Sequence, residues 1–164
     1  MSRYQLAQLN VAALKAPLDS PELRDFVDNL DRINALAEQS PGFVWRLVGE
    51  GNDATSVRPL GEDVIVNLSV WRDTEALRDY VYRSAHVEIL KRKREWFTKM
   101  AEAHMVLWWV RAGHIPTVAE AVERLERLRR EGPGPEAFTF RDAFAAPDAA
   151  AGDDRPPITD TCPA

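Results

Sequence analysis

The stretch VNLSVW, residues 66–71, alternates between two kinds of side chain, as a β-strand does. One face of the predicted strand carries three aliphatic residues, Val66, Leu68 and Val70. The other face carries an amide, a hydroxyl and an indole, from Asn67, Ser69 and Trp71. A strand with one face in water normally places charged residues there, and this strand has none. The pattern therefore predicts a covered strand whose second face is polar but uncharged.

Strand and helix patterns alternate on both sides of this stretch. The predicted elements are, in chain order, a strand at residues 4–11, a helix from a cap at Ser20 to a stop at Pro41-Gly42, a strand at 43–48, the quoted strand, a helix at 75–100, a strand at 104–110 and a helix from Thr117 to Gly132-Pro133. The apolar stripe of the helix at 75–100 changes face midway. This change predicts a bend or restart at Arg83-Ser84, with Ser84 as the new cap.

The order βαββαβ with one extra C-terminal helix is typical of a ferredoxin-like α+β fold, in which a four-stranded antiparallel sheet carries its helices on one face. The other face of the sheet would then expose Val66, Leu68 and Val70. A large exposed apolar patch is unfavourable on a monomer. Pairing of two such sheets in a twofold arrangement would cover it, so we expect a homodimer through the open sheet face.

The totals limit the class of protein. A chain of 164 residues with 45% hydrophobic and 29% charged residues is typical of one globular domain. We expect that domain to span residues 1–143, and the Ala/Pro/Asp-rich residues 144–164, which include the lone Cys162, to form a disordered tail. A net charge of −5 argues against nucleic acid and anionic membranes as partners. Because neither a signal peptide nor a run of 18 apolar residues is seen, we expect a cytoplasmic protein without a membrane partner.

Two stretches, NLSVW (residues 67–71) and YRSAH (residues 82–86), together with the βαββαβ order, resemble the dimeric α/β-barrel proteins, among them the antibiotic biosynthesis monooxygenases and haem-degrading monooxygenases. More closely, residues 4–141 resemble the bacterial family of domain of unknown function 3291. The segments that carry this closer likeness include SPGFVWRL, VNLSVWRDTEALRDYVYRSAH and VLWWVRAGHIPTVAEAVERLERLRREGPGPEAFTF.

The wider resemblance implies a ligand cavity between sheet and helices. In the monooxygenase relatives, an asparagine and a tryptophan four residues apart on the third strand line that cavity, and Asn67 and Trp71 have this spacing. Those relatives oxidise anthrone-type phenols with oxygen and without metal or flavin. Their arginine and tyrosine have no clear counterpart in this sequence.

The haem degraders have an asparagine on the first strand, which Asn10 matches. Their second-helix tryptophan and haem-ligating histidine align with Tyr80 and Leu90. Because a leucine cannot ligate iron, haem degradation by that mechanism is disfavoured, although a shifted ligand at His86 would revive it.

The candidate site residues follow from these patterns. His86, near a helix start, is the expected proton carrier, since neutral imidazole accepts a proton near neutral pH. Asn67 and the indole N–H of Trp71 are expected to hold the developing oxyanion. The candidate substrate-binding residues are Gln8, Asn10, Ser69, Tyr80 and Tyr82. No clustered histidine motif of the kind that binds a metal is present, so we expect neither a metal nor a bound cofactor.

Two functions of different classes remain open. The first is a small cofactor-independent enzyme, monooxygenase- or cyclase-like, that acts on an aromatic or polyketide-like small molecule by proton abstraction. The second is a non-catalytic homodimer, either ligand-binding or structural, in which the polar inner face only supports the fold. A haem-binding protein is a further alternative.

Overall fold

The computed structural model describes residues 2–84 and 86–149, and the backbone alone of His86. The strands and helices are β1 (Tyr4–Leu14), α1 (Arg24–Gln39), β2 (Phe43–Arg46), β3 (Val64–Trp71), α2 (Thr74–Arg83), α3 (His86–Trp96), β4 (Phe97–Thr98), β5 (Met105–Arg111) and α4 (Val118–Glu131). One turn of 3-10 helix, Pro21–Leu23, precedes α1. None of the described helices is long and apolar enough to cross a membrane.

The sheet is antiparallel, and β1 runs through its centre. On one side β1 pairs with β3, and β2 pairs with the outer edge of β3. On the other side β1 pairs with β5 and, at its end, with the two-residue β4. The strand order β2-β3-β1-β5 with helices in both connections is the ferredoxin-like arrangement, so the predicted fold class is confirmed.

Side-chain hydrogen bonds set the start of two helices, and the backbone breaks where a restart was predicted. The Asp73 carboxylate accepts a hydrogen bond from the Ala76 amide at 2.8 Å, and the Thr117 hydroxyl accepts one from the Glu120 amide at 3.1 Å, so both residues cap helices. Ser84 has an extended backbone that separates α2 from α3, where the restart was predicted.

The predicted cap at Ser20 is wrong. Its hydroxyl donates to the Pro17 carbonyl oxygen at 2.6 Å instead of accepting from the helix, and α1 begins only at Arg24. A local Ser turn has replaced the cap, a competition that is common for this residue type.

One face of the sheet, here called the helix-side face, packs against α1, α2 and α3. Its buried residues include Leu6 and Gln8 of β1, Ser69 and Trp71 of β3 and Leu107 of β5. The apolar contacts from the helices come from Ala37 of α1, Ala76 and Leu77 of α2 and Trp96 of α3. The polar half of VNLSVW therefore faces the helices.

The opposite face, here called the α4-side face, corrects one prediction. Val66, Leu68 and Val70 have exposed fractions of only 6%, 1% and 0% within the single chain. They pack in one cluster with Ala121, Leu125 and Leu128 of α4, and with Leu47, Val57 and Leu60 of the β2–β3 connection. The expected open sheet face is thus wrong, because the extra helix covers it. The homodimer was predicted from that opening, and dimerisation is not shown.

Residues after α4 return to the outer side of β5. Phe138 exchanges two backbone hydrogen bonds of 2.8 Å with Leu107, so it lies beside β5 as one further paired residue. Phe138 is fully buried and Phe140 nearly so, in the cluster that contains Trp71. This return covers the edge of β5, which would otherwise present unpaired backbone groups.

Part of the segment expected to be a tail, residues 144–164, contacts the sheet. The Trp109 indole N–H donates to the Phe144 carbonyl oxygen at 2.8 Å. The Asp148 carboxylate accepts from the Arg3 backbone amide at 2.6 Å. The rest of this segment, from residue 150, lies outside the described residues, and the domain boundary after residue 143 stays a prediction.

Candidate functional site

A chain of hydrogen bonds runs along the helix-side face. The Trp71 indole N–H donates to the Ser69 hydroxyl oxygen at 2.9 Å. Gln8 Nε2 donates to the same oxygen at 2.8 Å and to Asn67 Oδ1 at 2.6 Å. Gln8, Ser69 and Trp71 have exposed fractions of 5%, 5% and 1%. Because an unpaired buried polar group costs about 1–3 kcal/mol, these bonds are needed merely to bury such side chains.

This chain of hydrogen bonds results from strand periodicity and from the register of β1 and β3. Asn67, Ser69 and Trp71 are two residues apart on β3, so their side chains share one face. Gln8 lies directly opposite Ser69 in the β1–β3 ladder, and Asn10 lies opposite Asn67. Opposite residues in an antiparallel pair have Cβ atoms about 5 Å apart, and a glutamine side chain reaches from one pair to the next.

Asn67 differs from its neighbours because it is exposed while Ile65, Leu68 and Ser69 around it are buried. Its Oδ1 atom is held by Gln8, which also approaches the Asn67 backbone carbonyl at 3.4 Å. A carbonyl oxygen only accepts hydrogen bonds, so the Gln8 atom at this position must be the amide nitrogen. Asn67 Nδ2 has no hydrogen-bond partner among the described residues. Its two N–H groups can therefore donate to a ligand or to water over the sheet.

The opening extends across three strands. Asn67, Asn10 and Met105 are paired side by side on β3, β1 and β5, and we call them the Asn67 row. Asn67 is exposed, and Asn10 and Met105 are half-buried. The next row, Ser69, Gln8 and Leu107, is buried throughout. At the Asn67 row, therefore, the described residues leave the helix-side face partly uncovered.

Trp71 forms the closed end of the polar chain. Its ring stacks on Tyr80 with centroids 5.0 Å apart and meets the edge of Phe43 at 5.3 Å. Because its N–H is donated to Ser69, the indole is not free to hold a ligand oxygen directly. The predicted role of Trp71 at an oxyanion remains a prediction, and the geometry places it behind Ser69.

Tyr80, which stacks on Trp71, also lies at the closed end of the polar chain. Its hydroxyl donates to the Ile33 carbonyl oxygen at 3.3 Å, and burial raises the pKa of the Tyr80 phenol well above its usual range. Tyr80 therefore remains protonated at neutral pH and does not act there as a base. It also borders a surface hollow of about 280 Å³ between the end of α1 and α2, which is lined by Ser40, Arg72 and Arg83 among others and includes neither Asn67 nor Gln8.

The remaining candidates do not all join this cluster. Tyr82 is 38% exposed, and its ring meets Phe140 edge-on with centroids 5.9 Å apart. It lies away from the Asn67 row, among the aromatic residues of the returning C-terminal segment. The side chain of His86, the predicted proton carrier, lies outside the described residues, so its role stays a prediction.

The described part of the row carries no charge. Asn67, Asn10 and Met105 are neutral, and Gln8 and Ser69 behind them are neutral as well. Within the described residues no three His, Cys, Asp or Glu side chains are grouped so that they could hold a metal ion.

Met105 was not identified from the sequence, since its only signal is its register opposite Asn10 on a strand far along the chain.

Several solved structures are similar to the chain, among them the following three. The cofactor-independent oxygenase SnoaB from Streptomyces nogalater has 16% sequence identity and a TM-score of 0.44, with 68% of this chain and 95% of that chain covered. A protein of unknown function from Nitrosomonas europaea has 11% identity and a TM-score of 0.46, with 70% and 97% covered. A dabb family protein with a ferredoxin-like fold from Mesorhizobium loti has 16% identity and a TM-score of 0.41, with 69% and 98% covered.

No curated protein matches the chain. The family comparison does give a match, to the family described as domain of unknown function DUF3291, over residues 5–154. That span includes every strand and helix of the fold except the first residue of β1, and all of the candidate site residues. The chain therefore belongs to the DUF3291 family.

Proposed function

We propose that this protein is a small enzyme that binds a neutral aromatic or polyketide-like molecule over the Asn67 row and acts on it without a bound cofactor. The observation that carries the proposal is the exposed Asn67 amide, anchored from behind by the buried Gln8. Two N–H donors held in this way favour an oxygen that gains negative charge during a reaction.

The charge of the site supports a neutral ligand. An ionised carboxylate or phosphate would lose its water over the row without gaining a cation from the described residues of the row or of the row behind it, which is costly. A ketone or a phenol loses much less on leaving water, and its oxygen accepts hydrogen bonds from Asn67. The half-buried Met105 offers apolar contact beside these polar groups, a combination that is common in ligand sites.

The proposed chemistry begins with removal of a proton from the ligand by His86, and Asn67 stabilises the resulting oxyanion. Oxygen insertion, cyclisation and isomerisation can all begin in this way, so the proposal is monooxygenase- or cyclase-like activity. In this scheme Asn67 binds the ligand oxygen, and His86 accepts the proton that the ligand loses.

The test is turnover of a panel of anthrones and aromatic phenols under oxygen, measured by oxygen uptake and product mass. We expect Asn67→Ala and His86→Ala each to lower turnover by about 10²-fold, the usual effect of losing one oxyanion donor or one acid–base group. The control is Asn52→Ala, an exposed asparagine in the β2–β3 connection. Equal turnover in all four proteins would overturn the proposal.

A non-catalytic ligand-binding protein is the second candidate, and one observation favours it. Among the described residues of the Asn67 row and of the buried row behind it, no side chain is a base near neutral pH. If the panel binds and Asn67→Ala weakens binding, but neither the natural protein nor His86→Ala changes any ligand, the protein is a binder.

A further inference from the structure

Gln8 occupies a position that controls which way the Asn67 amide faces. It is 5% exposed, and its amide nitrogen lies within hydrogen-bond distance of Asn67 Oδ1 at 2.6 Å and Ser69 Oγ at 2.8 Å. The same nitrogen lies 3.4 Å from the Asn67 backbone carbonyl oxygen, which can only accept. The Ser69 oxygen also accepts from the Trp71 indole, which can only donate. Gln8 is therefore held at one end, and Asn67 at the other end has no other side-chain partner among the described residues.

The orientation of an exposed asparagine amide is normally free, because the torsion that turns it is broad and twofold. A half-turn exchanges the oxygen and the NH₂ group. Asn67 would then present an acceptor oxygen to a ligand over the sheet instead of two N–H donors. The site would favour ligands that donate hydrogen bonds over ligands that accept them.

We infer that Gln8 is a positioning residue that turns the NH₂ group of Asn67 toward the space over the sheet, and so favours ligands that bind Asn67 through an acceptor oxygen, such as that of a ketone. The inference rests on the proposed function for the kind of ligand only. The orientation of the Asn67 amide is a property of the free protein and is measured without any ligand.

The variant Gln8→Glu separates this role from a structural one. An ionised carboxylate has nearly the same shape but only accepts hydrogen bonds, so the Ser69 hydroxyl and the Asn67 NH₂ group would turn to donate to it. The hydrogen bonds to Ser69 and to the Asn67 side chain are kept with their direction reversed, and only the long 3.4 Å contact to the Asn67 backbone carbonyl is lost. Asn67 now presents its oxygen to the opening. Because burial raises the pKa of a carboxyl group, the variant is studied up to about pH 9.

The first readout is the side-chain NH₂ signal of Asn67 in ¹H–¹⁵N spectra, assigned by its loss in Asn67→Asp. With Gln8→Glu we expect a downfield shift of one proton as the NH₂ group binds the carboxylate. With Gln8→Leu we expect the heteronuclear NOE of this signal to fall to that of a mobile side chain. An unchanged Asn67 signal in both variants would overturn the inference, and Gln8→Glu alone decides the matter if Gln8→Leu does not fold.

The second readout is binding of two probes, 1-tetralone, which only accepts hydrogen bonds, and 2-naphthol, which also donates. We expect Gln8→Glu to weaken tetralone binding by about tenfold or more and to affect 2-naphthol much less, a change of at least 1.4 kcal/mol for the ketone. The matched control is Gln5→Leu, on the same strand but the opposite face. An equal loss for both probes would contradict a positioning role. If the natural protein binds neither probe, the proposed ligand class fails, and the NMR result still tests the inference.

Discussion

Asn10 and Asn67 lie directly opposite each other on β1 and β3, so two neutral amides stand side by side at a row of the helix-side face that the described residues leave open. The neighbouring pair, Gln8 and Ser69, is buried and hydrogen-bonded. The same strand pair thus builds a closed polar support in one row and an accessible polar surface in the next.

Replacing Asn10 tests whether this open row is a binding surface. Asn10→Leu places an aliphatic side chain in the space beside the Asn67 amide. We expect binding of phenols or ketones to weaken by about tenfold or more, while the free energy of unfolding changes by less than about 1 kcal/mol, since leucine is compatible with a strand. Calorimetric titration and urea unfolding measure the two effects. Gln5→Leu on the opposite face is the control, and unaltered affinity in Asn10→Leu would argue against the site.

The cover provided by α4 predicts a large cost for truncating its buried residues. Leu125 is 1% exposed and packs in the cluster that contains Leu68. We expect Leu125→Ala to lower the free energy of unfolding by about 2–5 kcal/mol, as truncation of buried leucines generally does. Glu126→Ala, next to it on the exposed side of the helix, should change it by less than about 0.5 kcal/mol. Urea unfolding measures both, and similar small effects would mean that α4 does not cover the sheet in solution.

The same cover predicts the mass of the protein in solution. A chain whose sheet face is already buried has no need of a second copy over that face, so we expect a monomer of 18.5 kDa. Size-exclusion chromatography with light scattering, over a range of concentrations, measures this. Twice that mass at micromolar concentration would show that a different surface pairs, or that α4 leaves the sheet.

The raised pKa of Tyr80 predicts a loss of stability in alkali. Above the ordinary tyrosine pKa of about 10, the unfolded chain releases this proton while the folded protein retains it, so the free energy of unfolding falls as pH rises. Below that pH the group makes no such contribution. Tyr80→Phe should cost about 1 kcal/mol at neutral pH, through the lost hydrogen bond to Ile33, and should show a shallower alkaline decline. Urea midpoints measured from neutral pH to about pH 11 test this, and parallel declines would contradict it.

The fold could be predicted from the sequence because its signals are local. The alternation in VNLSVW places Asn67, Ser69 and Trp71 on one face, and Asp73 and Thr117 begin helices through short-range side-chain hydrogen bonds. The break at Ser84 follows from a change in the apolar stripe. Each of these features is determined by residues that are close together in the sequence.

The surface that α4 covers could not be predicted in the same way. Its apolar stripe of Ala121, Leu125 and Leu128 is visible in the sequence, but a stripe does not say which partner it buries. The extra helix lies beyond the βαββαβ unit, and the pattern of that unit alone predicts an open sheet face. The resulting expectation of a dimer through that face was a consequence of this missing long-range contact.

The site was predictable in its members but not in their arrangement. Gln8, Asn67 and Ser69 were candidates because polar residues on inner faces are unusual. That Gln8 holds Asn67 depends on the β1–β3 register, which fixes Gln8 opposite Ser69 and is set by pairing across the fold. Tyr82 lies two residues after Tyr80 on α2, so the two side chains point about 200° apart. Tyr80 stacks on Trp71, whereas Tyr82 meets Phe140.

The central claim is that a neutral ligand binds over the Asn67 row, and methionine methyl signals test it most directly. The chain has three methionines. Met105 belongs to the row, whereas Met100 packs against the α4-side cluster and serves as an internal control. In a titration with neutral aromatic ketones and phenols, we predict saturable shifts of the Met105 methyl and Asn67 NH₂ signals, with Met100 unmoved. Shifts of Met100 alone, or of neither residue at saturating ligand, would contradict the account.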